Sequence, residues 1–445
     1  MALHDKGRSG GAGAYLRFRS SSASSRLIHS WAAKLGYQPL GQNSTRANNE
    51  YQHGCYPGAK RHSERTEPVR DEPIMRPYIP NELPLQGLDH ALLLPLVGRA
   101  NAALARYDGL LASIPNPGVM LSPLTTQEAV LSSKIEGTQA TVDEVLEQEA
   151  GLLKEGEKFE DIQEISNYRK ALFQARRYLE AYPIRLGFIR ELHRTLMDSV
   201  RGKDKTPGEF RLDQNWIGKM GCTIEQASFV PPNPLQLPDY LRAWEQYMDL
   251  DDVDFLIQAA VVHAQFELLH PFKDGNGRIG RILIPLFLYQ KRALSQPMFY
   301  LSEYLENHRD EYYARLKGIS AAGDWNQWIA FFLRAIAEQA GQNGTRVVAI
   351  KVLYEEMKGV IHETTHSQYT VHLLDAIFSK PIFKTSDLAQ RLSEEHGIHE
   401  KTAPALLRQL RDAGVLRELQ AGSGRRAATL CFPRLINLAE GRNVL

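Results

Sequence analysis

The segment His270–Arg281, with the sequence HPFKDGNGRIGR, gathers side chains and glycines that suit phosphate chemistry. Gly275 and Gly277 flank Asn276, so backbone N–H groups can converge there on a small concavity that accepts an anion. An apolar helix runs into the segment and ends at Pro271, and a second apolar helix runs out of it. A bound anion would therefore also meet the positive end of the second helix dipole.

Four charged or titratable side chains accompany this loop. Arg278 and Arg281 are three residues apart and share one helical face, from which both can bind phosphate oxygens. Asp274 is a hard oxygen ligand beside the loop, which suits a Mg²⁺ ion that bridges phosphates. His270 has an ordinary pKa that suits proton abstraction near neutral pH. The segment therefore predicts a phosphate site with a general base.

Three other interpretations of the segment are weaker. Its glycines at 275, 277 and 280 match a dinucleotide-binding fingerprint, but that fingerprint follows a strand, and here a helix precedes it. A P-loop is excluded because no Gly-Lys-Ser/Thr sequence follows the glycines. If the glycines only made a turn and the arginines were solvated surface, the clustering of His270, Asp274 and Asn276 with both arginines would have no reason.

The same segment resembles the signature of the Fic family, H-P-F-x-D-G-N-G-R-x-x-R, at every fixed position. The resemblance covers roughly residues 78–342 and implies an all-α Fic domain, which is a helical bundle with a short β flap. Other stretches that resemble the family lie in the flap region and in the helices after the motif: Pro207–Arg211, Gln214–Gly218, Phe229–Pro232, Tyr300–Ser302, Tyr312–Tyr313 and Trp325–Trp328.

Fic proteins typically transfer AMP from ATP to a Ser, Thr or Tyr hydroxyl of a target protein and release pyrophosphate. By this resemblance His270 would be the general base that acts on the target hydroxyl. Ile217 and Gly218, in the flap, would bind the target backbone as an added strand. Asp274 would also hold Mg²⁺, and Arg281 would reach the γ-phosphate. The residues that bind ATP would be Asp274, Gly275, Asn276, Gly277, Arg278 and Arg281.

A second short pattern predicts regulation. Ser132–Gly137, SSKIEG, resembles the inhibitory pattern [ST]-x-x-x-E-[GN] of Fic proteins that carry an N-terminal inhibitory helix. Ser132 and Glu136 are four residues apart and share one helical face, and Gly137 can end the helix. In the family this glutamate pairs with the second motif arginine, here Arg281, and blocks productive seating of the γ-phosphate. We therefore expect Glu136 to be autoinhibitory.

The rest of the chain divides by composition. Residues 1–74 are rich in Ser, Gly, Arg and Asn, and we interpret them as a disordered N-terminal extension. Their arginines and serines also resemble a transit peptide, but an extension upstream of a natural start at Met75 is the simpler interpretation. We expect residues 75–180 to form a helical region with the inhibitory helix, residues 181–345 the Fic catalytic core, and residues 346–369 a linker helix.

Residues 370–445 predict a winged helix-turn-helix. The expected order is three helices and then two strands: His372–Phe378, Thr385–His396, Lys401–Ala413, Val415–Leu419 and Thr429–Phe432. Basic residues of the third helix and of the loop between the strands could neutralise DNA phosphates. They are Lys401, Arg408, Arg411, Arg425 and Arg426. Acidic residues interleave with them, and winged helices also dock proteins, so DNA and protein stay equal alternatives for this module.

The composition excludes several classes of protein. The chain has 53 Lys and Arg against 52 Asp and Glu, which excludes a surface that attracts nucleic acid or membrane as a whole. Cys55, Cys222 and Cys431 are far apart, which argues against a disulfide framework or a thiolate zinc site and favours a reducing compartment. No apolar run reaches the roughly 18 residues of a membrane span. We therefore expect a cytoplasmic protein without a membrane partner.

Several alternatives stay open at this level. One alternative is a function of a different class, that of a DNA-binding regulator that acts through the winged helix. Within the Fic class, the enzyme could use another donor and transfer UMP, phosphate or phosphocholine. It could also remove AMP from a modified protein. The target protein, the signal that relieves Glu136 and the formation of a homodimer are also open.

Local predictions concern caps and core residues. The spacing of Thr125 with Glu128, and of Thr141 with Glu144, predicts two capping boxes at helix N-termini. His263 lies on an apolar helix and is expected to be a packed core histidine. Trp325 and Trp328 are expected to fill the core rather than to stack on a ligand, and packing is also the favoured role for Tyr304.

Overall fold

The structure is a computed structural model that describes residues 76–152, 158–198, 205–219, 221–424 and 426–445. The predicted extension at residues 1–74 and the basic residue Arg425 lie outside the described residues. Within the described ranges the chain forms sixteen α-helices and one three-stranded sheet. None of these helices combines the length and the apolar character that crossing a membrane requires. The mostly helical fold that the sequence predicted is therefore confirmed.

The first six helices form the N-terminal part of the helical body. They are α1 (His90–Ala112), α2 (Pro117–Met120), α3 (Ser122–Ile135), α4 (Val142–Glu149), α5 (Phe159–Leu179) and α6 (Leu186–Leu196). The capping box predicted at the start of α4 is present, since Thr141 accepts from the Glu144 N–H and the Glu144 carboxylate accepts from the Thr141 N–H. It fixes the start of α4 a few residues after the inhibitory pattern.

The other capping box, Thr125 with Glu128, was predicted wrongly. Helix α3 already begins at Ser122, so Thr125 lies inside it. The Glu128 carboxylate instead accepts hydrogen bonds from the Ser302 N–H at 3.1 Å and the Ser302 Oγ at 2.6 Å. A distant helix start therefore takes the carboxylate that local spacing assigned to α3, and sequence spacing cannot reveal such a partner.

The next six helices include the two that flank the signature loop, which lies within His270–Arg281. They are α7 (Leu237–Asp249), α8 (Phe255–Leu269), α9 (Asn276–Gln290), α10 (Ser302–Asn307), α11 (Arg309–Ala322) and α12 (Trp325–Thr365). Every residue of α8 after Phe255 is buried, in agreement with apolar residues that lie on all sides of this helix. Helix α9 returns alongside α8, so the loop between them is held by two core helices.

Helix α12 is longer than the sequence predicted. The apolar spacing indicated a helix over Asn326–Ala340, and a separate linker helix was expected over residues 346–369. Instead α12 runs on to Thr365 and crosses the boundary placed at residue 345. A Cβ at Gly344 would lie 3.3 Å from Leu110 Cδ1, so the glycine lets α1 approach α12 closely. Tertiary packing thus outweighs the low helix propensity of glycine.

The C-terminal module consists of seven elements: α13 (Thr370–Ser379), β1 (Ile382–Lys384), α14 (Thr385–His396), α15 (Thr402–Asp412), β2 (Arg417–Gln420), β3 (Thr429–Cys431) and α16 (Pro433–Glu440). Strand β3 is central and antiparallel to both neighbours, with Leu430 opposite Phe383 on β1 and Glu418 on β2. All three helices and both strands predicted from the sequence are present, whereas β1 and α16 were not predicted. The winged-helix assignment itself stays a prediction.

The C-terminal module packs on the helix that leads to the inhibitory pattern. Helices α13 and α16 both lie against α3. Ser122, the first residue of α3, donates its hydroxyl to the Ser379 carbonyl at 2.9 Å. One continuous cluster of buried apolar side chains joins the module to the helical body. The position of α3 is therefore fixed from both sides.

Candidate active site

The loop between α8 and α9 is built from unusual backbone and one amide side chain. His270 ends α8 in the left-handed region (φ 47°, ψ 58°), which is uncommon for a residue other than glycine. Gly275 begins α9 at φ 75°, where L side chains are strained. Asn276 accepts from the Phe272 N–H at 2.8 Å and donates to the Phe272 carbonyl at 2.9 Å. The Asn276 side chain therefore closes the loop, which leaves backbone N–H groups for an anion.

The concavity at the start of α9 contains the Glu136 carboxylate. A Cβ at Gly277 would lie 2.2 Å from Glu136 Oε1 and 2.9 Å from Arg281 Nη1. Only a glycine leaves this space, so the absence of a side chain at 277 is what admits a carboxylate to the helix N-terminus. A carboxylate and a phosphate oxygen are both acceptors that this end of a helix favours.

Arg281 holds that carboxylate. Its Nη2 lies 2.5 Å from Glu136 Oε1, and its Nε donates to Ser132 Oγ at 2.8 Å. Helix α3 ends at Ile135, Glu136 is its C-cap, and Gly137 turns the chain at φ 104°. Burial lowers the pKa of Arg281, but Glu136 and the weaker effects of Tyr312 and Glu267 together outweigh burial, so the pKa is raised and the guanidinium stays charged. The structure thus brings Ser132, Glu136 and Arg281 together.

Arg278 is held by a different carboxylate. Its Nη1 donates to Glu164 Oε2 of α5 at 2.9 Å, and its Nη2 lies 3.6 Å from Asp274 Oδ1. Both motif arginines are buried. Within the described ranges, Arg278 Nε and Arg281 Nη1 have no hydrogen-bond partner. Buried donors without partners are rare and costly, and phosphate oxygens would satisfy them.

Asp274 fits the ligand role that the family resemblance implies. Its Oδ1 accepts from the Gly275 N–H at 2.6 Å, and the side chain is 29% exposed. Across the part of the chain that the structure describes, no cluster of three or more His, Cys, Asp or Glu side chains could hold a metal. A Mg²⁺ ion at Asp274 would therefore take its other oxygens from phosphates and water, as this ion commonly does.

His270 has the protonation state that a base requires. Its Nδ1 lies 3.4 Å from the Glu267 carbonyl, which can only accept, so Nδ1 carries the proton of the neutral ring. Burial, followed by the charge of Arg211, lowers the pKa of His270 to about 4. The ring is therefore neutral at pH 7, and its Nε2 carries a lone pair.

Arg211 donates hydrogen bonds to the backbone at His270 and Pro271. Its role could not be derived from sequence spacing alone. Its Nε donates to the His270 carbonyl at 2.9 Å, and its backbone N–H donates to the Pro271 carbonyl at 2.8 Å. Its Nη2 donates to the Pro232 carbonyl at 2.6 Å. Arg211 thus ties both flanks of the flap to the signature loop. Burial lowers the pKa of Arg211 to about 10, which still leaves it charged at pH 7.

Among its described residues, the predicted flap contains one isolated β-bridge. Ile217 donates to the Phe229 carbonyl at 2.8 Å and accepts from the Phe229 N–H at 3.1 Å. Ile217 and Gly218 are both buried. A short β flap was expected, and the bridge has that form, while the role of Ile217 and Gly218 in target binding stays a prediction.

Two buried carboxylic acids near Arg281 were missed from the sequence. Burial raises the pKa of Glu128 to about 7 and that of Glu267 to about 8, although the charge of Arg281 opposes both shifts. A Cβ at Gly280 would lie 2.2 Å from Glu267 Oε1, so Gly280 makes room for this carboxyl group. The sequence signal that could have indicated these buried carboxyl groups is an acidic residue among apolar neighbours on one helix face. Glu164 shows the same signal.

The core predictions for the aromatic residues are confirmed. His263 is buried, and its ring stacks beside Trp328 and Tyr312. Trp328 is fully buried and donates its Nε1 hydrogen to the Ala260 carbonyl at 2.9 Å. Trp325 and Tyr304 are buried as well. None of these four side chains needs a ligand to explain its position.

Family models match the two parts of the molecule that build this site. Residues 94–177 match the Fic/DOC family N-terminal model, and residues 183–288 match the Fic/DOC family model. The chain contains a Fic/DOC-family domain. The first matched region supplies Glu136 and Glu164, and the second supplies the signature loop with both arginines. The site therefore lies where the two regions meet.

Relatives of the Fic/DOC domain include proteins named for adenylyl transfer. A probable protein adenylyltransferase of Aquifex aeolicus is 28% identical over 179 residues, which are 39% of this chain and 51% of that protein. The protein adenylyltransferase Fic of Drosophila erecta is 30% identical over 149 residues, 32% of this chain and 26% of that protein. The chain thus spans about half and about a quarter of these relatives.

Among solved structures, a Fic family protein from Desulfovibrio desulfuricans is similar to this chain. The similarity covers 80% of this chain and 98% of that one, with 19% identity and a TM-score of 0.46.

Proposed function

We propose that this Fic/DOC-family protein transfers AMP from ATP to a Ser, Thr or Tyr hydroxyl of a target protein. The observation that carries the proposal is the signature loop, in which a neutral His270 and two buried arginines flank a helix N-terminus that accepts an anion. The names of the curated relatives support the same reaction.

ATP would bind with its phosphates at the start of α9. The backbone N–H groups at Gly275, Asn276 and Gly277 would donate to phosphate oxygens, and the free donors of Arg278 and Arg281 would complete the binding. Asp274 is the side chain that would hold Mg²⁺. The ion, when bound, would neutralise charge on the phosphates during the transfer.

The chemical step places His270 at the target hydroxyl. Nε2 takes the proton as the hydroxyl oxygen bonds to the α-phosphorus, and the bond from that phosphorus to the α,β-bridging oxygen breaks. Pyrophosphate leaves with the electrons of the broken bond. Phosphoryl transfers of this kind depend on in-line positioning and charge neutralisation, which the loop and arginines would supply.

Glu136 would keep this enzyme inhibited. Its carboxylate occupies the space beside Gly277 and engages Arg281, which the γ-phosphate would otherwise reach. Charge-assisted hydrogen bonds are worth about 1.5–3 kcal/mol, enough for strong but reversible inhibition. The target would bind at the flap, where Ile217 and Gly218 would pair with its backbone.

The alternative of a DNA-binding regulator has less support. Arg411 of α15, one of the basic residues expected to meet DNA, donates to Glu418 at 3.1 Å and to Asp412 at 2.8 Å. These contacts neutralise its charge. We therefore favour protein docking for the C-terminal module.

The experiment that tests the proposed reaction compares labelled donors. Glu136→Gly protein is incubated with Mg²⁺, a cell lysate as target source, and either α-³²P-ATP or γ-³²P-ATP. Label on protein from the α-labelled donor alone supports AMP transfer. Label from the γ-labelled donor would indicate phosphate transfer, and no label from either would contradict the proposal.

A further inference from the structure

His193 is a fully buried histidine that the proposed chemistry does not use. It lies on α6, one turn before the end of that helix, and its side chain is 0% exposed. Its ring stacks on Phe272 of the signature loop, with centroids 3.8 Å apart and planes within 5°. A polar ring buried against the loop needs hydrogen-bond partners, and these partners show what it does.

The two ring nitrogens of His193 contact two different segments of the active site. The Gly208 N–H, at the start of the flap region, donates to Nδ1 at 2.8 Å. Nδ1 is therefore the acceptor, and the proton of the neutral ring is on Nε2. Nε2 lies 3.0 Å from the Asp274 carbonyl, to which it donates. One imidazole thus joins the flap to the loop, in a tautomer set by its partners.

The two hydrogen-bond partners of His193 hold it in this neutral form. A second proton on Nδ1 would face the Gly208 N–H, donor against donor.

The contact with Asp274 has a geometric consequence for Gly275. In a trans peptide the carbonyl and the next N–H point in opposite directions. Because His193 takes the Asp274 carbonyl on one side, the Gly275 N–H must point to the other side, where it meets Asp274 Oδ1. That direction is toward the carboxyl group assigned to the phosphates and Mg²⁺. Gly275 is a glycine at φ 75°, so its own backbone preference does not fix the orientation of this peptide.

We propose that His193 is a positioning residue that orients the Asp274–Gly275 peptide for phosphate binding and links this orientation to the flap through Gly208. The inference rests on the proposed function, because that function assigns the Asp274–Gly275 peptide to ATP binding. His193 itself touches neither ATP nor target. It acts through the backbone of the loop, as Arg211 does for the preceding carbonyls.

The test measures ATP affinity in the Glu136→Gly background by calorimetry, with Mg²⁺ present. His193→Phe keeps a flat ring on Phe272 but removes both hydrogen bonds, and we expect ATP to bind about tenfold more weakly. His193→Gln has a side-chain amide that can donate where Nε2 does, and it should recover most of the affinity. His90→Phe, on the exposed surface of α1, is the matched control and should bind ATP as the parent does.

A second measurement separates positioning from general destabilisation. Hydrogen exchange should become faster at Gly208 in His193→Phe, with the core of α8 unchanged. ATP affinity equal to that of the parent in a variant whose Gly208 exchange is faster would overturn the inference and leave the proposed function intact. Failure of Glu136→Gly itself to bind ATP would overturn the proposed function, and the inference with it.

Discussion

Two arginines on one helix are each held by a carboxylate, but the carboxylates come from different kinds of structure. Glu164, which holds Arg278, lies inside α5 with its side chain 11% exposed. Glu136, which holds Arg281, follows the end of α3 as its C-cap. The Gly137 after it is at φ 104°. Glu164 is therefore anchored within a regular helix, whereas Glu136 lies at a turn beyond a helix end.

The difference separates a fixed ion pair from a releasable one. Glu164 and Arg278 belong to the packed interior, and their pairing orients the arginine whose Nε stays without a partner among the described residues. Glu136 is the carboxylate that contacts Arg281 directly, whereas burial raises the pKa of the neighbouring Glu267 to about 8. The autoinhibition that we propose therefore depends on the pair that local motion can break.

The largest expected effect tests whether proton transfer by His270 is separate from ATP binding by the two arginines. His270→Ala, in the Glu136→Gly background, should lower the rate of AMP transfer by about 10²–10⁴, because the base is lost. ATP affinity should stay within about twofold, since both arginines and the loop backbone are retained. Steady-state labelling and calorimetry measure the two quantities. A parallel loss of ATP affinity would mean that His270 serves binding rather than proton transfer.

The next effect distinguishes the two ion pairs by stability. Glu164→Gln leaves Arg278 as a buried charge with a weakened partner, which should lower the free energy of unfolding by about 3–5 kcal/mol. Glu136→Gln should cost only about 1 kcal/mol, because Arg281 keeps both contacts with Ser132. Urea denaturation of the two variants gives the comparison. Equal losses would contradict the division into fixed and releasable pairs.

The same two variants should differ in ATP affinity. Glu136→Gln removes the negative charge that competes with phosphate at Arg281, so ATP should bind about tenfold more tightly. Glu164→Gln removes the charge that orients Arg278, and we expect no such gain. Titration with ATP and Mg²⁺ measures both. A gain of similar size in Glu164→Gln would mean that both carboxylates are inhibitory.

The smallest effect concerns the protonation of Glu267. Its folded pKa, about 8, is above the ordinary carboxyl value of 4.5, so the folded protein binds the proton more tightly. The stability contributed by this group is complete below pH 4.5 and is lost as the pH rises through 8. Relative to Glu267→Gln, the wild type should lose about 1 kcal/mol per pH unit between pH 6 and 8. A constant difference between the two proteins would show that Glu267 is already ionised.

The parts of the site that were predicted share one property, which is that they are local in sequence. The loop from His270 to Arg281 is a continuous segment, and the face shared by Ser132 and Glu136 follows from helical spacing alone. The pairing of Glu136 with Arg281 joins two such local patterns through the family resemblance. Helix α15 and strand β3 likewise follow from apolar spacing within short windows.

The parts that were missed depend on partners far apart in the chain. Glu164, His193 and Arg211 each meet the loop across tens of residues, and their spacing carries no sign of it. The wrong capping box has the same cause, since Glu128 pairs with Ser302. The length of α12 likewise depends on a distant partner, because Gly344 lies inside that helix and admits α1.

The most direct test of the releasable pair is the initial rate of AMP transfer from α-³²P-ATP in wild type, Glu136→Gly, and Glu136→Gly with His270→Ala. Loss of the charge-assisted contact should raise the rate in Glu136→Gly about 10- to 100-fold over wild type. The added His270→Ala should abolish that gain. Equal rates in wild type and Glu136→Gly, with ATP and target in excess, would contradict autoinhibition by Glu136.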